Sequence, residues 1–237
     1  IKAAMPDPFT PGKCEYPHLV RPFQERCGSV MYLANSSRPD IAYPVNQLCR
    51  AMTRPTPELM EEFNWLLNYL DRTRSYGLTY HPGDYPLCGQ TDASFETHFS
   101  VSGWVILWQR AAIAWGSKKQ KSSAQSSCES EIMALSEGAK DMVYFRKLVG
   151  GIVPDAVKFP TNLATDNLGA RDLSYNPEHT PNISESQVWV PWTGGLTGSH
   201  TAVDDRCRRA AGSGGIAWIA GCSPSPHPLP QSHRVSG

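Results

Sequence analysis

The chain has 237 residues, of which 40% are hydrophobic and 19% are charged, a composition typical of a globular protein that can bury a core. Lysine plus arginine number 22, as do aspartate plus glutamate, so the formal net charge is zero. Net charge therefore gives no reason to expect a nucleic acid, a membrane surface or an acidic ligand, and any basic surface must be local.

The cysteines and the apolar runs limit where the protein can act. The seven cysteines include no C-x-x-C pair, which argues against a zinc module, and their odd number does not suit a disulfide framework. No apolar run approaches the roughly 18 residues that a membrane span needs. We therefore expect an intracellular protein that is not secreted and has no membrane partner.

Residues 27–82 are predicted to be mostly helical, after a segment without a clear helix. Residues 1–26 are rich in proline and lack an apolar period, which predicts a linker or a partial element. Two short helices are predicted at "GSVMYLAN" and "IAYPVNQLCRAM", on either side of the turn signal "SRPD". A longer helix is predicted from Thr56 to Arg72, with Thr56 as N-cap and Pro57 at the first helical position.

From residue 86 the pattern predicts strands. They are "LCGQTDASF", "VSGWVILW" and "AAIAWGSKKQ", with a turn at Gln109-Arg110 between the last two. A helix that begins in "SAQSSCESEIMALSEG" and runs to about Leu148 follows, and then a fourth strand, "TNLATDNL", and a short helix, "GARDLSYN". This order predicts an α/β fold, a mixed sheet with helices packed on it. Residues 181–237 are dominated by glycine, serine and proline, so we expect most of them to be irregular.

Two glutamates near the start of the long helix are predicted to have different tasks. Ser126 and Glu129 form an S-x-x-E capping box, which accounts for Glu129 locally. At about 100° of rotation per residue, Glu129 lies outside the apolar face, whereas Glu131 lies within it. The other residues of that face are Cys128, Ile132, Leu135, Ala139, Met142, Val143 and Val149. Glu131 is therefore predicted to point its carboxylate at the sheet.

A carboxylate that faces a core must be paired, hydrogen-bonded or bound to a metal. An ion pair is one explanation, and Arg146, on the same helical face, is the candidate partner. Metal binding is the other, because Asp92 in the first strand and Asp166 at the end of the fourth can converge on Glu131. An all-oxygen ligand set of this kind suits Mg²⁺.

Several segments together closely resemble the ribonuclease H region of copia-type retrotransposon polyproteins, over about residues 16–179. They are "CGSVMYLANSSRPDIAYPVNQLCRAMTRPT", "LNYLDRTRSYGLTY", "TDASF", "SGWVILW", "AIAWGSKKQKSSAQSSCESEIMALSEGAKD" and "ATDNLGARDLSYNPEH". The resemblance implies that residues 27–82 are a connection-like segment of the reverse transcriptase and that residues 86–180 are an RNase H-like domain. It also implies that the remainder of the reverse transcriptase is a partner.

The resemblance implies the chemistry as well. The acidic residues of the family correspond to Asp92, Glu131 and Asp166, which would bind two Mg²⁺ ions, or Mn²⁺ in their place. The implied substrate is an RNA–DNA hybrid, of which the RNA strand is hydrolysed. Lys118, Lys119 and Lys121, between the third strand and the long helix, are expected to contact its phosphates, although a solvated loop is the simpler explanation for a charge run.

Two departures from the family pattern set the expected level of activity. The paired aspartates of the polymerase active site are absent, so polymerase activity is not expected here. The basic helix and the fourth carboxylate that should follow Asn176-Pro177 are not found, and the only late aspartates are Asp204 and Asp205, in an unsuitable context. We therefore expect an incomplete fold with impaired hydrolysis. The alternatives are an inactive remnant that binds hybrid or is purely structural, and an interaction module recruited by the host.

Overall fold

The computed structural model describes residues 5, 12–83, 86–96, 99–158, 160–175 and 222–224. The α-helices are α1 (Pro17–Ser36), α2 (Ala42–Cys49), α3 (Pro57–Arg72), α4 (Ser127–Ile152) and α5 (Leu168–Tyr175). The strands are β1 (Tyr76–Leu78), β2 (Cys88–Ser94), β3 (Val101–Trp108), β4 (Ala111–Lys119), β5 (Asn162–Thr165) and β6 (Cys222–Pro224). Short 3-10 helices occupy Pro39–Ile41 and Pro154–Val157. Of the helices within these residues, none is long and apolar enough to cross a membrane.

Helix α1 corrects the expectation of a linker or partial element over residues 1–26. It begins at Pro17, so the predicted boundary after residue 26 falls inside a helix. Pro17 suits the first helical position, where a missing N–H removes no helical hydrogen bond. The buried residues follow a regular helical spacing across that boundary, and they are Phe23, Cys27, Val30 and Ala34. The high proline content of the segment obscured this period.

Helix α3 forms as predicted, and it completes the helical core. The Thr56 hydroxyl accepts a hydrogen bond from the Leu59 N–H at 3.3 Å, and Pro57 occupies the first position. Leu59 and Phe63 are fully buried, and the ring of Phe63 meets that of Phe23 on α1 edge to face at 5.7 Å. The helical spacing of the apolar residues predicts that Leu67 shares the buried stripe of α3, but Leu67 is 39% exposed.

A buried ion pair joins the turn after α1 to the end of α3. Arg38 Nη2 lies 2.7 Å from Asp40 Oδ2, and the two side chains are only 7% and 4% exposed. Arg38 also donates to the carbonyl and the hydroxyl of Thr73, and the Tyr69 hydroxyl donates to Asp40 at 2.9 Å. Burial alone would raise the pKa of Asp40, but the hydrogen bonds from Arg38 and Tyr69 and the charge of Arg38 hold it below its usual value.

The second part of the chain is a mixed four-stranded sheet in the order β4-β3-β2-β5, as the α/β prediction requires. The pairs β2–β3 and β3–β4 are antiparallel, whereas β2 and β5 are parallel. The predicted turn at Gln109-Arg110 joins β3 to β4, and both residues have positive φ, at 52° and 65°. Two consecutive residues of this conformation are typical of a tight hairpin.

Helix α4 lies directly on this sheet, because Gly138 lets its backbone approach closely. A Cβ atom at this position would lie 2.5 Å from Thr91 Cγ2, a distance that no side chain tolerates. Trp104 on β3 donates its indole N–H to Asp141 of α4 at 2.6 Å, which fixes the helix along the strand direction. The close contact determines how near the N-terminal turns of α4 come to the strand ends.

Single hydrogen bonds connect the helical part to the sheet. The indole N–H of Trp115 on β4 donates to the carbonyl of Ala34 on α1 at 2.6 Å. The hydroxyl of Tyr80, which follows β1, donates to the carbonyl of Ala112 on β4 at 2.8 Å. The two parts of the chain are thus in direct contact through β4.

The segment "GLTYH" after the third helix predicts the start of a short strand, and the structure has β1 there, paired antiparallel with β6. Most of the tail, for which an irregular structure was predicted, lies outside the described residues, as do Asp204 and Asp205. Within that tail, residues 222–224 form the short strand β6, so this piece is not irregular.

The ion pair of Arg38 and Asp40 should be one of the strongest single supports of the helical part. We predict that Arg38→Ala lowers the free energy of unfolding by about 3–5 kcal/mol, because it leaves the buried Asp40 carboxylate without its cation. Arg21→Ala is the control: it removes an ion pair with Glu25 whose side chains are 90% and 67% exposed. It should cost no more than about 0.5 kcal/mol. Urea unfolding of both variants measures the difference, and equal losses would contradict the assignment.

Candidate functional site

The sheet topology brings two distant aspartates to the same edge. Strands β2 and β5 run parallel, and Thr91 on β2 is paired with Thr165 on β5. Asp92, the next residue on β2, and Asp166, the first residue after β5, therefore occupy equivalent positions. Because the carboxyl ends of parallel strands meet at one edge of a sheet, their side chains lie next to each other.

Glu131, in the second turn of α4, completes the cluster from above the strands. Its carboxylate accepts a hydrogen bond from the Ala93 N–H at 3.1 Å and another from the Thr165 hydroxyl at 3.4 Å. One side chain thus bridges β2 and β5, and it is only 6% exposed. Asp92, Glu131 and Asp166 each offer a carboxylate oxygen within 4.8 Å of the other two. The three residues are called the acidic cluster below.

Glu129 does not join the acidic cluster, as the helical-face analysis predicted. Ser126 is the N-cap of α4, and its hydroxyl accepts a hydrogen bond from the Glu129 N–H at 3.1 Å. The Glu129 carboxylate accepts a hydrogen bond from the Gln125 N–H at 2.7 Å, one residue before the N–H that a capping box uses. Glu129 therefore stabilises the start of the helix, and its carboxylate is directed away from the cluster.

Arg146, the alternative partner of Glu131, serves a different part of the fold. It donates to the Thr161 hydroxyl and, at 2.6 Å, to the Val157 carbonyl. A helical wheel places Arg146 about 60° from Glu131, on the same face, but fifteen residues of helix separate the two by about 22 Å along the axis. The ion-pair explanation for Glu131 is therefore wrong.

The acidic cluster is short of positive charge. None of its three carboxylates takes part in an ion pair within the described part of the chain. Burial, above all, raises the pKa of Glu131 to about 7, and the charges of Asp92 and Asp166 act in the same direction. Burial and the charge of Asp166 also raise the pKa of Asp92. Like charges held this closely favour either a proton or a cation between them.

The chemistry of the donor atoms fits Mg²⁺. Every donor atom that the acidic cluster could offer a metal is a carboxylate oxygen, the hard donor that Mg²⁺ and Mn²⁺ prefer, and neither histidine nor cysteine belongs to the group. The burial is graded, since Glu131 is buried, Asp92 is intermediate and Asp166 is exposed. The cluster is therefore open to solvent on the side of Asp166.

Comparisons with known proteins decide the family. The retrovirus-related Pol polyprotein from transposon TNT 1-94 of Nicotiana tabacum is 30% identical over 175 residues, which are 72% of this chain and 13% of the polyprotein. The transposon Ty5-1 protein of Saccharomyces cerevisiae is 38% identical over 112 residues, 44% of this chain and 36% of that protein. The secreted RxLR effector protein 161 of Plasmopara viticola is 35% identical over 128 residues, 52% of this chain and 90% of the effector.

The chain belongs to the copia-type retrotransposon Pol family. No protein-family model and no solved structure matches it. The aligned part of this Pol chain spans only 13% of the tobacco polyprotein. The family is therefore shown, whereas the activities of a whole polyprotein do not pass to this chain by similarity alone.

The three lysines of this Pol chain do not lie in the acidic cluster. Lys118 and Lys119 are the last residues of β4 rather than part of a loop, and Lys121 follows them. All three line a cleft of about 360 Å³ between the end of β4 and α4. Lys118 pairs with Glu137 at 3.3 Å, and the Lys119 ammonium lies 4.1 Å from the centre of the Phe99 ring.

Two residues that sequence reasoning missed support the site. The Thr165 hydroxyl orients Glu131, and its only sequence signal is that it immediately precedes Asp166. Gln120 is 8% exposed and donates to Ser102 on β3 at 2.9 Å and to the Ser130 carbonyl on α4 at 2.8 Å. It therefore joins the start of α4 to the sheet one residue before Glu131. A single glutamine after a strand has no pattern that would reveal this role.

The raised pKa of Glu131 gives the chain a distinctive pH dependence in metal-free buffer. Because the folded state holds this proton more tightly than the unfolded state, the stability contributed by Glu131 is present at low pH and is lost as the pH rises towards about 7. Glu131→Gln should remove that loss and stabilise the protein at pH 8 by on the order of 1–2 kcal/mol, after allowance for solvent screening.

Chemical denaturation at pH 5 and pH 8, with a chelator present, measures this effect. The gain of Glu131→Gln should largely vanish at pH 5. Glu129→Gln is the matched control, since that carboxylate caps the helix outside the acidic cluster. The assignment is contradicted if Glu131→Gln destabilises the protein at pH 8 or if Glu129→Gln gives the same gain.

Proposed function

We propose that residues 86–175 act as a ribonuclease H-type domain that binds Mg²⁺ at the acidic cluster and hydrolyses the RNA strand of RNA–DNA hybrids. The observation that carries the proposal is the convergence of Asp92, Glu131 and Asp166 to within 4.8 Å at the carboxyl ends of two parallel strands. The membership of the chain in the Pol family supports it, because such proteins come from elements related to retroviruses. The mixed sheet with α4 packed across it is consistent with an RNase H-like fold.

The acidic residues would divide the work according to their burial. Glu131 is held by the Ala93 N–H and the Thr165 hydroxyl, so its carboxylate is preorganised and needs no rearrangement to act as a ligand. Asp166 is exposed and lies at the open side, where a phosphodiester group can approach. Bound Mg²⁺ supplies a Lewis acid and a water of lowered pKa. Asp92, which is less buried than Glu131 and more buried than Asp166, would complete the ligand set.

We propose that hydrolysis is impaired in this chain. Among the described residues the acidic cluster contains three carboxylates, and the sequence offers no fourth in the expected context. Three carboxylates suffice to attract a divalent cation, whereas catalysis also needs the reacting groups to be held accurately. A misplacement near 1 Å can cost on the order of 100-fold in rate.

A second function, binding of hybrid without hydrolysis, is favoured by the cleft that Lys118, Lys119 and Lys121 line, which is called the lysine cleft below. Lys118, Lys119 and Lys121 lie outside the acidic cluster and do not depend on the missing carboxylate. Phosphate contacts position a nucleic acid without reading its sequence, so such a surface binds a hybrid even when turnover fails. In a complete polyprotein, the remainder of the reverse transcriptase would be the natural partner, and the hybrid would be met inside the cell.

The proposed activity has a direct test. The full chain, incubated with an RNA–DNA hybrid labelled on the RNA strand and with Mg²⁺, should cut the RNA on the order of 100-fold more slowly than a complete RNase H domain. Asp92→Asn should abolish the cleavage. Asp172→Asn is the matched control, because Asp172 is exposed on α5 and paired with Arg171.

Each outcome of this assay has a meaning. Cleavage by Asp92→Asn at the rate of the unaltered chain would show that the acidic cluster is not the site. Turnover equal to that of a complete domain would refute the impairment. If the unaltered chain and Asp92→Asn both bind the hybrid and neither cuts it, the result would support the second function described above, binding without hydrolysis.

The lysine cleft makes a prediction about salt. We expect the triple variant Lys118→Gln, Lys119→Gln, Lys121→Gln to bind hybrid more weakly and with a flatter dependence on salt, by up to about 0.9 in logarithmic slope for each lysine that contacts a phosphate. The matched control replaces Lys13, Lys147 and Lys158, which are exposed and do not line the cleft. Fluorescence anisotropy in a chelating buffer at several salt concentrations measures both variants. Equal slopes for the two triple variants would remove the cleft from the binding surface.

A further inference from the structure

A carboxylate lies between two of the cations that line the lysine cleft. Glu137, near the middle of α4, directs one oxygen at Lys118 on β4, with Oε2 and Nζ 3.3 Å apart. Its other oxygen, Oε1, accepts a hydrogen bond at 2.7 Å from Lys140, one turn further along α4. Lys140 lines the same cleft as Lys118, Lys119 and Lys121. Two ammonium groups are thus arranged around one anion, each on an oxygen of its own.

A phosphodiester group matches the anion that this arrangement holds. Its two non-bridging oxygens share a single negative charge, as the two oxygens of a carboxylate do, and lysine is a common ligand of phosphates. Ser122 and Ser136 line the same cleft, and their hydroxyls can donate to further phosphate oxygens. The cleft is therefore lined by the groups that bind a phosphate, with a carboxylate of the chain itself between two of them.

The two ion pairs of Glu137 are weak enough to be exchanged. The Lys118 and Lys140 side chains are 50% and 65% exposed, and ion pairs between exposed groups contribute little to stability. Glu137 remains in the cleft when the lysines turn towards a phosphate, because it is anchored in α4, and its charge then repels that phosphate. The hydrogen bond from Lys140, above all, lowers the pKa of Glu137, so this charge is present at neutral pH.

Given the hybrid binding proposed for the lysine cleft, we propose that Lys118 and Lys140 form a phosphate-binding pair whose ligand position is occupied by the Glu137 carboxylate. Glu137 thereby competes with a nucleic-acid backbone and weakens its binding. Lys140 becomes a further contact to the hybrid, and Glu137 becomes the residue that limits the affinity of the cleft. Because the ligand is a backbone phosphate, the effect is independent of the base sequence.

Removal of the carboxylate tests this competition. The full chain with Glu137→Gln should bind an RNA–DNA hybrid more tightly than the unaltered chain, because both lysines are then available to phosphates. The gain should shrink with salt, by about threefold for each added phosphate contact between 50 and 200 mM salt. Fluorescence anisotropy in a chelating buffer, which keeps metal from the acidic cluster, measures both quantities. A gain of binding cannot arise from a variant that fails to fold.

Glu129→Gln is the matched control for this variant. It removes the same charge from the lining of the same cleft. The Glu129 carboxylate, however, accepts a hydrogen bond from the Gln125 N–H and forms no ion pair in the described part of the chain. Its replacement should therefore give a smaller gain in affinity and a smaller change in the salt dependence than Glu137→Gln.

The contact assigned to Lys140 has its own variant. Lys140→Gln should bind the hybrid more weakly and with a flatter salt dependence than Lys147→Gln, which alters an exposed lysine of the same helix outside the cleft. With Lys140 already replaced, Glu137→Gln should increase the affinity less than it does in the unaltered chain, because only Lys118 remains to be released. Equal gains in the two backgrounds would show that Glu137 and Lys140 act independently and would overturn the pairing.

The remaining outcomes separate this inference from the function on which it rests. Weaker binding by Glu137→Gln would mean that the carboxylate positions the lysines, and a gain no larger than that of Glu129→Gln would mean that it does not compete. Either result overturns the inference alone, provided that the triple variant of Lys118, Lys119 and Lys121 binds hybrid more weakly than its control. If that triple variant binds as its control does, the lysine cleft is not the hybrid surface, and both proposals fail.

Discussion

The parallel pairing of β2 with β5 is the constraint on which the acidic cluster depends. Asp92 and Asp166 are far apart in the chain, and only this register places them at equivalent positions. Glu131 then reaches both strands because Gly138 allows α4 to lie directly on the sheet. The site is therefore non-local, since it exists only when one sheet edge and one helix are both in place. Loss of β5 from the sheet edge would dismantle it without unfolding the rest.

The cluster also shows a conflict between stability and chemistry. Three carboxylates share a small volume without a neighbouring cation among the described residues. Burial above all, together with the charges of Asp92 and Asp166, raises the pKa of Glu131 to about 7. A fold selected for stability alone would place an apolar side chain at this position of α4. The retained carboxylate is typical of a site where local rules give way to function. At the buried pair of Arg38 and Asp40, in contrast, each charge has an opposite partner, and the pKa of Asp40 is lowered.

Much of this architecture was predictable because it depends on local periodicity. The strands β2, β3 and β4, the helix α3 with its Thr56 cap, and the inward position of Glu131 all follow from patterns of a few residues. The errors have physical causes as well. The prolines before residue 27 concealed the period of α1, and a helical wheel records the angle of Arg146 but not its height along α4. The donors Ala93 and Thr165 could not be predicted, because they depend on the parallel register of two strands.

The contact between Trp115 and Ala34 has a consequence for how the chain can be divided. The Trp115 indole N–H on β4 is satisfied by a backbone carbonyl of α1, and Ala112 on the same strand accepts from Tyr80. A shortened chain that began at residue 86 would lose both partners, leave a half-buried indole without its acceptor and uncover apolar surface on the outer strand. Such an edge strand is open to pairing with a second molecule. The helical part thus covers β4. In assays of a sheet prepared without it, association through the uncovered edge strand would affect the result as much as the acidic cluster does.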